Sequence, residues 1–152
     1  MIIVIAQKEE LKLVEELGYT CPVIITGVGG VNVINALKHL PKDTEILNIG
    51  YCGSNKLDIG TKVSPSCVYT LHEKAKFKEY TGNCRIAKNH DWCVPCYTST
   101  DFVTKSKIKD VCIFDMELAF ICSLFDNVWA IKVVSDNLNK KQYEENVNDR
   151  KS

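Results

Sequence analysis

Two acidic residues stand apart at the ends of apolar stretches in the segment Ile113 to Asn139, which reads IFDMELAFICSLFDNVWAIKVVSDNLN. Glu117 follows Phe114-Asp115-Met116 where a helix is expected to begin, and Asp136 follows the largely apolar run Val128 to Val134. A carboxyl group beside so much apolar sequence needs a partner, because burying an unpaired charge is costly. Two kinds of chemistry meet that need. A carboxylate can hold the hydroxyls of a ligand, and an acid kept neutral by burial can donate a proton. Structural uses compete with both: Ser135-Asp136-Asn137 also reads as a helix cap or turn, and Glu117 as a first-turn carboxylate facing the helix dipole.

A second constellation is Cys84-x5-His90-x2-Cys93-x2-Cys96, four soft ligands in number and kind suited to tetrahedral zinc. Its two halves crowd together, unlike the usual finger spacing, so core and loop thiols are the leading reading. No cofactor is expected, and structural zinc at Cys84, His90, Cys93 and Cys96 is the alternative.

The elements that must position these groups alternate. Ile2 to Ile5 is a short β-branched run suited to a buried strand, and Glu9 to Leu17 places Leu11, Val14 and Leu17 at helical spacing before a stop at Gly18. Val23 to Thr26 predicts a second strand running into Gly27-Val28-Gly29-Gly30. A helix then shows Val31, Ile34 and Leu37 on one face. Ile46 to Ile49 predicts a strand entering a second glycine turn, Gly50 to Ser54, and Lys62 to Tyr69 a strand interrupted by Pro65. Leu71 to Tyr97 is the least periodic section and reads as loop and irregular strand over the open end of the sheet. Val111 to Phe114 and Val128 to Val134 supply two more strands around a helix over Met116 to Phe125. From about Asn139 the chain is a polar tail, read as a short terminal helix or frayed end. Alternating strands and helices imply a mostly parallel sheet covered on both faces.

Glycines that end a strand and open a helix let backbone amides approach a ligand, and Gly27 and Gly53 sit in such turns. The first turn does not make a dinucleotide fingerprint, and no Walker-type loop is present.

At 152 residues and 45% hydrophobic content, the whole of residues 1–152 is expected to form one domain. Nineteen basic and nineteen acidic residues balance, so no polybasic face points to nucleic acid or an anionic membrane. Only Arg85 and Arg150 are arginines, which weakens any case for bidentate phosphate recognition. The start, MIIVIAQKEE, lacks the pattern of a secretory signal, no apolar run is long enough to span a bilayer, and the eight cysteines read mostly as reduced thiols. A cytoplasmic protein is expected.

Five segments, in order, carry a resemblance: Thr26-Gly27-Val28-Gly29-Gly30-Val31-Asn32; Asn48 to Ser54 with its continuation Leu57 to Val63; Thr98-Ser99-Thr100-Asp101-Phe102-Val103; Phe114-Asp115-Met116-Glu117; and Lys132-Val133-Val134-Ser135-Asp136. Together they resemble the purine nucleoside phosphorylase and uridine phosphorylase superfamily, most closely its methylthioadenosine/S-adenosylhomocysteine nucleosidases, as a shortened and divergent member. The resemblance implies a three-layer α/β/α fold with a mostly parallel mixed central sheet, phosphorylase-like. It implies that Glu117 holds the ribose hydroxyls, Met116 packs under the sugar, Phe102 lies against the purine and Val103 presents backbone to the base edge. Asp136 would protonate the leaving purine at N7, oriented by Ser135, and Glu10, with Glu9 as the alternative, would position the attacking water.

The sequence departs from the family where Tyr51 replaces a small serine or threonine, Lys132 an arginine and Asp115 a glutamate. The implied activity is hydrolysis of the N-glycosidic bond of an adenosine-type or methylthioadenosine-type purine nucleoside. Phosphorolysis stays open through Lys8 or Lys56, although the family's phosphate-binding neighbourhoods hold Gln7, Lys8 and Leu47 and no arginine precedes residue 85. A non-catalytic nucleoside-binding homologue is the other alternative. A small-molecule nucleoside is the expected partner, with neither nucleic acid nor membrane, and a homo-oligomer, most simply a dimer, is expected.

Overall fold

The computed structural model describes residues 1–72 and 77–148. Four apolar runs build the centre. They are β1 (Ile2–Ile5), β2 (Val23–Ile25), β3 (Glu45–Ser54) and, near the end of the chain, β10 (Asn127–Asp136), with β1 pairing β2 and β3 in parallel and β10 running parallel to β3 from Asn127↔Glu45 to Asp136↔Gly53. Because β10 flanks one edge of β3 along its length, β1 and then β9 (Ile113–Asp115) share the other edge, β9 antiparallel through Gly53↔Phe114. The sheet continues from β9 to β8 (Cys96–Ser99), β5 (Cys67–His72) and the edge strand β6 (Phe77–Asn83). Two short strands, β4 (Lys62–Val63) and β7 (Arg85–Ile86), pair the free edge of β10.

Helices cover both faces. On one, α2 (Gly30–Leu37) and α3 (Leu118–Leu124) bury Val33, Leu37, Leu118, Ala119 and Ile121 against Val4, Ile46, Val128 and Ala130. On the other, α1 (Leu11–Glu16) buries Leu13 and Val14 against Ile3, Ile5, Leu47, Ile49 and Ile131. The last helix, α4 (Lys140–Val147), packs on β10 and meets α1 where Lys12 Nζ donates to the Val147 carbonyl at 3.2 Å. This is the three-layer α/β/α arrangement with a mostly parallel mixed sheet. No helix among the described residues is long and apolar enough to cross a membrane.

Several local expectations change. Gly50 to Ser54 is not a turn but the second half of β3. Lys62 to Tyr69 divides at Pro65 into two strands with different partners, β4 on β10 and β5 between β8 and β6. Much of Leu71 to Tyr97 is strand, since β5 ends, β6 and β7 lie, and β8 begins within it. Residues 73–76 of that section lie outside the described residues. The buried side of α1 is Leu13 and Val14, with Leu11 exposed, and α2 buries Val33 and Leu37 while Val31 and Ile34 face outward.

Candidate functional site

A cleft opens where β1, β3, β9 and β10 end at their carboxyl side or meet the loops that follow. Its wall includes Glu10, Tyr51, Phe102, Val103, Met116, Glu117, Ser135 and Asp136, so eight of the ten residues singled out in the sequence line one space. Gly27 and Gly53 are not part of that lining. Gly27 hands its amide to the Ala6 carbonyl at 2.9 Å, whereas Gly53 lies beneath Asp136, where an added Cβ would come within 3.0 Å of Asp136 Oδ2.

Glu10 sits at the end of a short 3-10 turn, Lys8–Glu10, just past β1. Its Oε1 accepts the Ala6 amide at 2.8 Å and the Gln7 amide at 3.2 Å, while Oε2 accepts the Tyr51 amide at 2.8 Å. That reach is open because residue 50 is glycine: a Cβ there would stand 2.7 Å from Glu10 Oε2. Burial raises the Glu10 pKa above the ordinary carboxyl range, against the lowering pull of Lys132 and the three amides.

Asp115 and Lys132 form the floor. Lys132 Nζ lies 3.0 Å from Asp115 Oδ2 with both side chains essentially inaccessible to solvent. Asp115 Oδ1 also accepts from Thr98 Oγ1 at 2.5 Å and Cys96 Sγ at 3.3 Å, and Oδ2 from the amides of Leu118 at 2.8 Å and Glu117 at 3.3 Å. Burial alone would raise this carboxyl, but Lys132, Thr98 and the Leu118 amide outweigh it and its pKa falls below the usual value. Burial likewise opposes the ammonium, and Asp115 with Glu117 holds Lys132 above its ordinary value. Asp115, not Glu117, therefore satisfies the amides that open α3.

Glu117 points instead to the facing helix. Its Oε2 accepts the amide of Gly29, the residue before α2, at 2.8 Å. Gly29 has φ 91° and ψ 166°, an extended positive-φ conformation essentially confined to glycine that aims this amide at the carboxylate. Burial and then the neighbouring Asp115 charge push the Glu117 pKa up to about 7.

Asp136 ends β10. Its Oδ1 lies 2.9 Å from the Ser135 hydroxyl, and Oδ2 accepts the amides of Leu138 at 3.0 Å and Asn139 at 3.3 Å. Leu138 takes φ 61°, strained for a branched residue, as the backbone turns both amides onto one oxygen. Asp136 does not cap α4, because Asn139 does, accepting the Gln142 amide at 2.9 Å. Burial raises the Asp136 pKa in spite of these three donors.

The sequence points to Gln7 only where the family's phosphate-binding groups would stand, and to Tyr143 not at all, yet both belong to the cleft. The segment read as a polar tail forms α4 and brings Tyr143 into the cleft, its hydroxyl accepting from Gln7 Nε2 at 2.7 Å and its ring 5.2 Å from that of Phe102. A lone aromatic in NKKQYEENV was the available signal. The zinc alternative is corrected: among the described residues no group of three or more His, Cys, Asp or Glu is placed to hold a metal. Cys84 faces Cys122 with sulfurs 3.6 Å apart, His90 Nδ1 meets the Ala87 carbonyl, Cys93 is exposed and Cys96 turns to Asp115.

No family model matches the sequence, and no curated protein matches it. Solved structures do resemble the fold. An MTAN of Chlamydia trachomatis bound to MTA superposes with a TM-score of 0.79 at 15% identity, over 96% of this chain and 88% of that one. A 5′-methylthioadenosine/S-adenosylhomocysteine nucleosidase of Helicobacter pylori gives 0.73 at 13% identity, over 97% and 90%. An S-adenosylhomocysteine nucleosidase of Streptococcus pyogenes in complex with 5-methylthiotubericidin gives 0.72 at 16%, over 97% and 89%. At these identities the likeness is one of fold.

Proposed function

We propose that this chain hydrolyses the N-glycosidic bond of a purine nucleoside, of adenosine or methylthioadenosine type, to free base and pentose. The observation that carries the proposal is the convergence of Asp136, Glu117 and Glu10 on one cleft, each with its carboxyl pKa raised by burial. A neutral Asp136 can give its proton to N7 as the C1′–N9 bond breaks and its electron pair passes to the purine. Water bonds to C1′ as its proton passes to Glu10, and proton return from Glu10 to Asp136 through solvent resets the site. Glu117 holds the ribose hydroxyls and favours the positive charge that develops on the sugar. Met116 lies under the sugar, Phe102 against the purine and Val103 at the base edge, with Ser135 orienting Asp136.

Water is favoured over phosphate as the acceptor because the described lining of the cleft carries no lysine or arginine, and the buried Lys132 is already committed to Asp115. Eight free cysteines suit a reducing compartment, which supports a cytoplasmic setting. Self-association as a homodimer is part of the reading: Ile25, Val28, Val31 and Ile34, within ten residues of one another along the chain, are all exposed, and Val28 also lines the cleft. Light scattering at micromolar concentration that returns only the mass of one chain would remove the dimer.

A product assay resolving free base, ribose and ribose 1-phosphate across a purine nucleoside panel tests the activity. Base with ribose supports hydrolysis, and base with ribose 1-phosphate replaces it by phosphorolysis. Binding with no cleavage leaves a nucleoside-binding homologue.

A further inference from the structure

Tyr143 and Gln7 give the cleft a polar feature with no part in the chemistry above. The Tyr143 hydroxyl accepts the Gln7 side-chain amide at 2.7 Å, and its own proton has no acceptor among the described residues. The hydroxyl is therefore a donor held in place and left unused. Its ring is fixed from two sides, by the tilted contact with Phe102 at 5.2 Å and by the docking of α4, where Asn146 Nδ2 donates to the Ser135 carbonyl at 3.1 Å. Burial raises the phenol pKa, which keeps the proton on the oxygen at neutral pH.

The position of this donor relative to a nucleoside follows from the shape of the ligand. In a β-nucleoside the base and the C5′ group project from the same face of the sugar, while the attacking water approaches from the other. With the base against Phe102, the C5′ group meets whatever continues the Phe102 wall, and the residue packed on that ring is Tyr143. Resting on the proposed nucleoside reading, we infer that Gln7 and Tyr143 form a specificity element for the C5′ substituent, favouring a hydrogen-bond-accepting hydroxyl there over an apolar group. A 5′-hydroxyl satisfies the phenolic proton, whereas hydrogen or methylthio leaves it unpaired in a half-buried setting. Sites built to pair a substrate hydroxyl discriminate strongly against analogues that lack it.

The test uses three adenine nucleosides identical except at C5′, carrying hydroxyl, hydrogen or methylthio. For the unmodified protein, kcat/KM is expected to be at least about tenfold higher for the hydroxyl compound than for either other. In Tyr143→Phe, which keeps the ring and removes the donor, the hydroxyl-to-hydrogen ratio is expected to fall by about tenfold. In Gln7→Met, which leaves the phenol but not the amide that fixes it, the ratio falls by less. Calorimetric dissociation constants for the same nucleosides on Asp136→Asn give the same ratios where turnover is absent. Cleavage or binding with a ratio unchanged within about threefold by Tyr143→Phe, or an unmodified protein preferring methylthio, overturns the specificity element and leaves the nucleosidase reading standing. Neither cleavage nor binding of any of the three overturns both.

Discussion

The floor and the rim of the cleft treat the same chemical group in opposite ways. On the floor, Asp115 is fully buried and still ionised more readily than an ordinary aspartate; on the rim, two residues later, Glu117 is buried to a similar degree and titrates near 7. The difference is in partners. Asp115 has the buried ammonium, a hydroxyl, a thiol and two amides, whereas Glu117 has the one amide of Gly29 among the described residues. The buried charged side chains among the described residues are Lys132 against Glu10, Asp115, Glu117 and Asp136. One cation cannot hold four carboxylates, so once Asp115 has taken it the other three are left with raised pKa values. A single structural anion thus leaves protonatable acids around the cleft.

Breaking the floor should have the largest effect. Lys132→Met strands Asp115 as a buried unpaired carboxylate, and unfolding by denaturant at neutral pH is expected to show a loss of about 3–5 kcal/mol. Asp115→Asn/Lys132→Met should lose less than the sum of the two single substitutions, because each alone leaves the other charge uncompensated. Additive losses would mean that the two groups do not depend on each other.

On the rim, Asp136→Asn is expected to lower kcat at least about a hundredfold while nucleoside binding is largely kept, since it removes the proposed proton donor and little volume. Turnover within about threefold of normal would assign the acid elsewhere. Glu117→Gln should weaken both binding and turnover, and its effect on stability has a definite sign. With a folded pKa near 7 against an unfolded value of 4.5, the native state binds more protons than the unfolded state between those limits. Stability contributed by protonated Glu117 is therefore lost as pH rises from about 4.5 to 7, by at most about 3 kcal/mol. Denaturation midpoints across that window should fall less steeply in Glu117→Gln, and an unchanged slope would show that Glu117 is not the titrating group.

The strands that carry this arrangement were legible because buried parallel strands are written as short β-branched runs: Ile2 to Ile5, Val23 to Ile25, Ile46 to Ile49 and Val128 to Val134 each fall in one. The second half of β3 was not. Gly50 and Gly53 read locally as turn residues, but Gly50 is small because Glu10 Oε2 comes from another part of the chain to lie over it, a reason that local sequence does not contain. The edge strand β6 was missed because it has little to bury: Phe77 to Tyr80 is exposed throughout, so no alternation marks it. Gathering Glu10, Glu117 and Asp136 into one cleft followed motif order, whereas Tyr143 lay hidden in a segment whose helix buries little besides Val147. The cysteines misled in the opposite sense, being close in sequence and directed to different neighbours, Cys84 to Cys122 and Cys96 to Asp115.

The smallest expected effect isolates the amide that sets Glu117 apart. A methyl group added at Gly29 meets nothing within 4 Å, so Gly29→Ala tests backbone conformation without a clash. At φ 91° and ψ 166° alanine enters a region open essentially to glycine alone, and a stability loss of about 1–3 kcal/mol is expected. Relaxing that strain turns the amide away from Glu117 Oε2 and removes a contact that favours its ionised form. The Glu117 pKa should then rise further above 7, and if Glu117 holds the sugar as proposed, the ascending limb of kcat/KM against pH should move to higher pH with it. A stability loss with the limb unmoved would show that Gly29 shapes the turn without tuning the carboxyl.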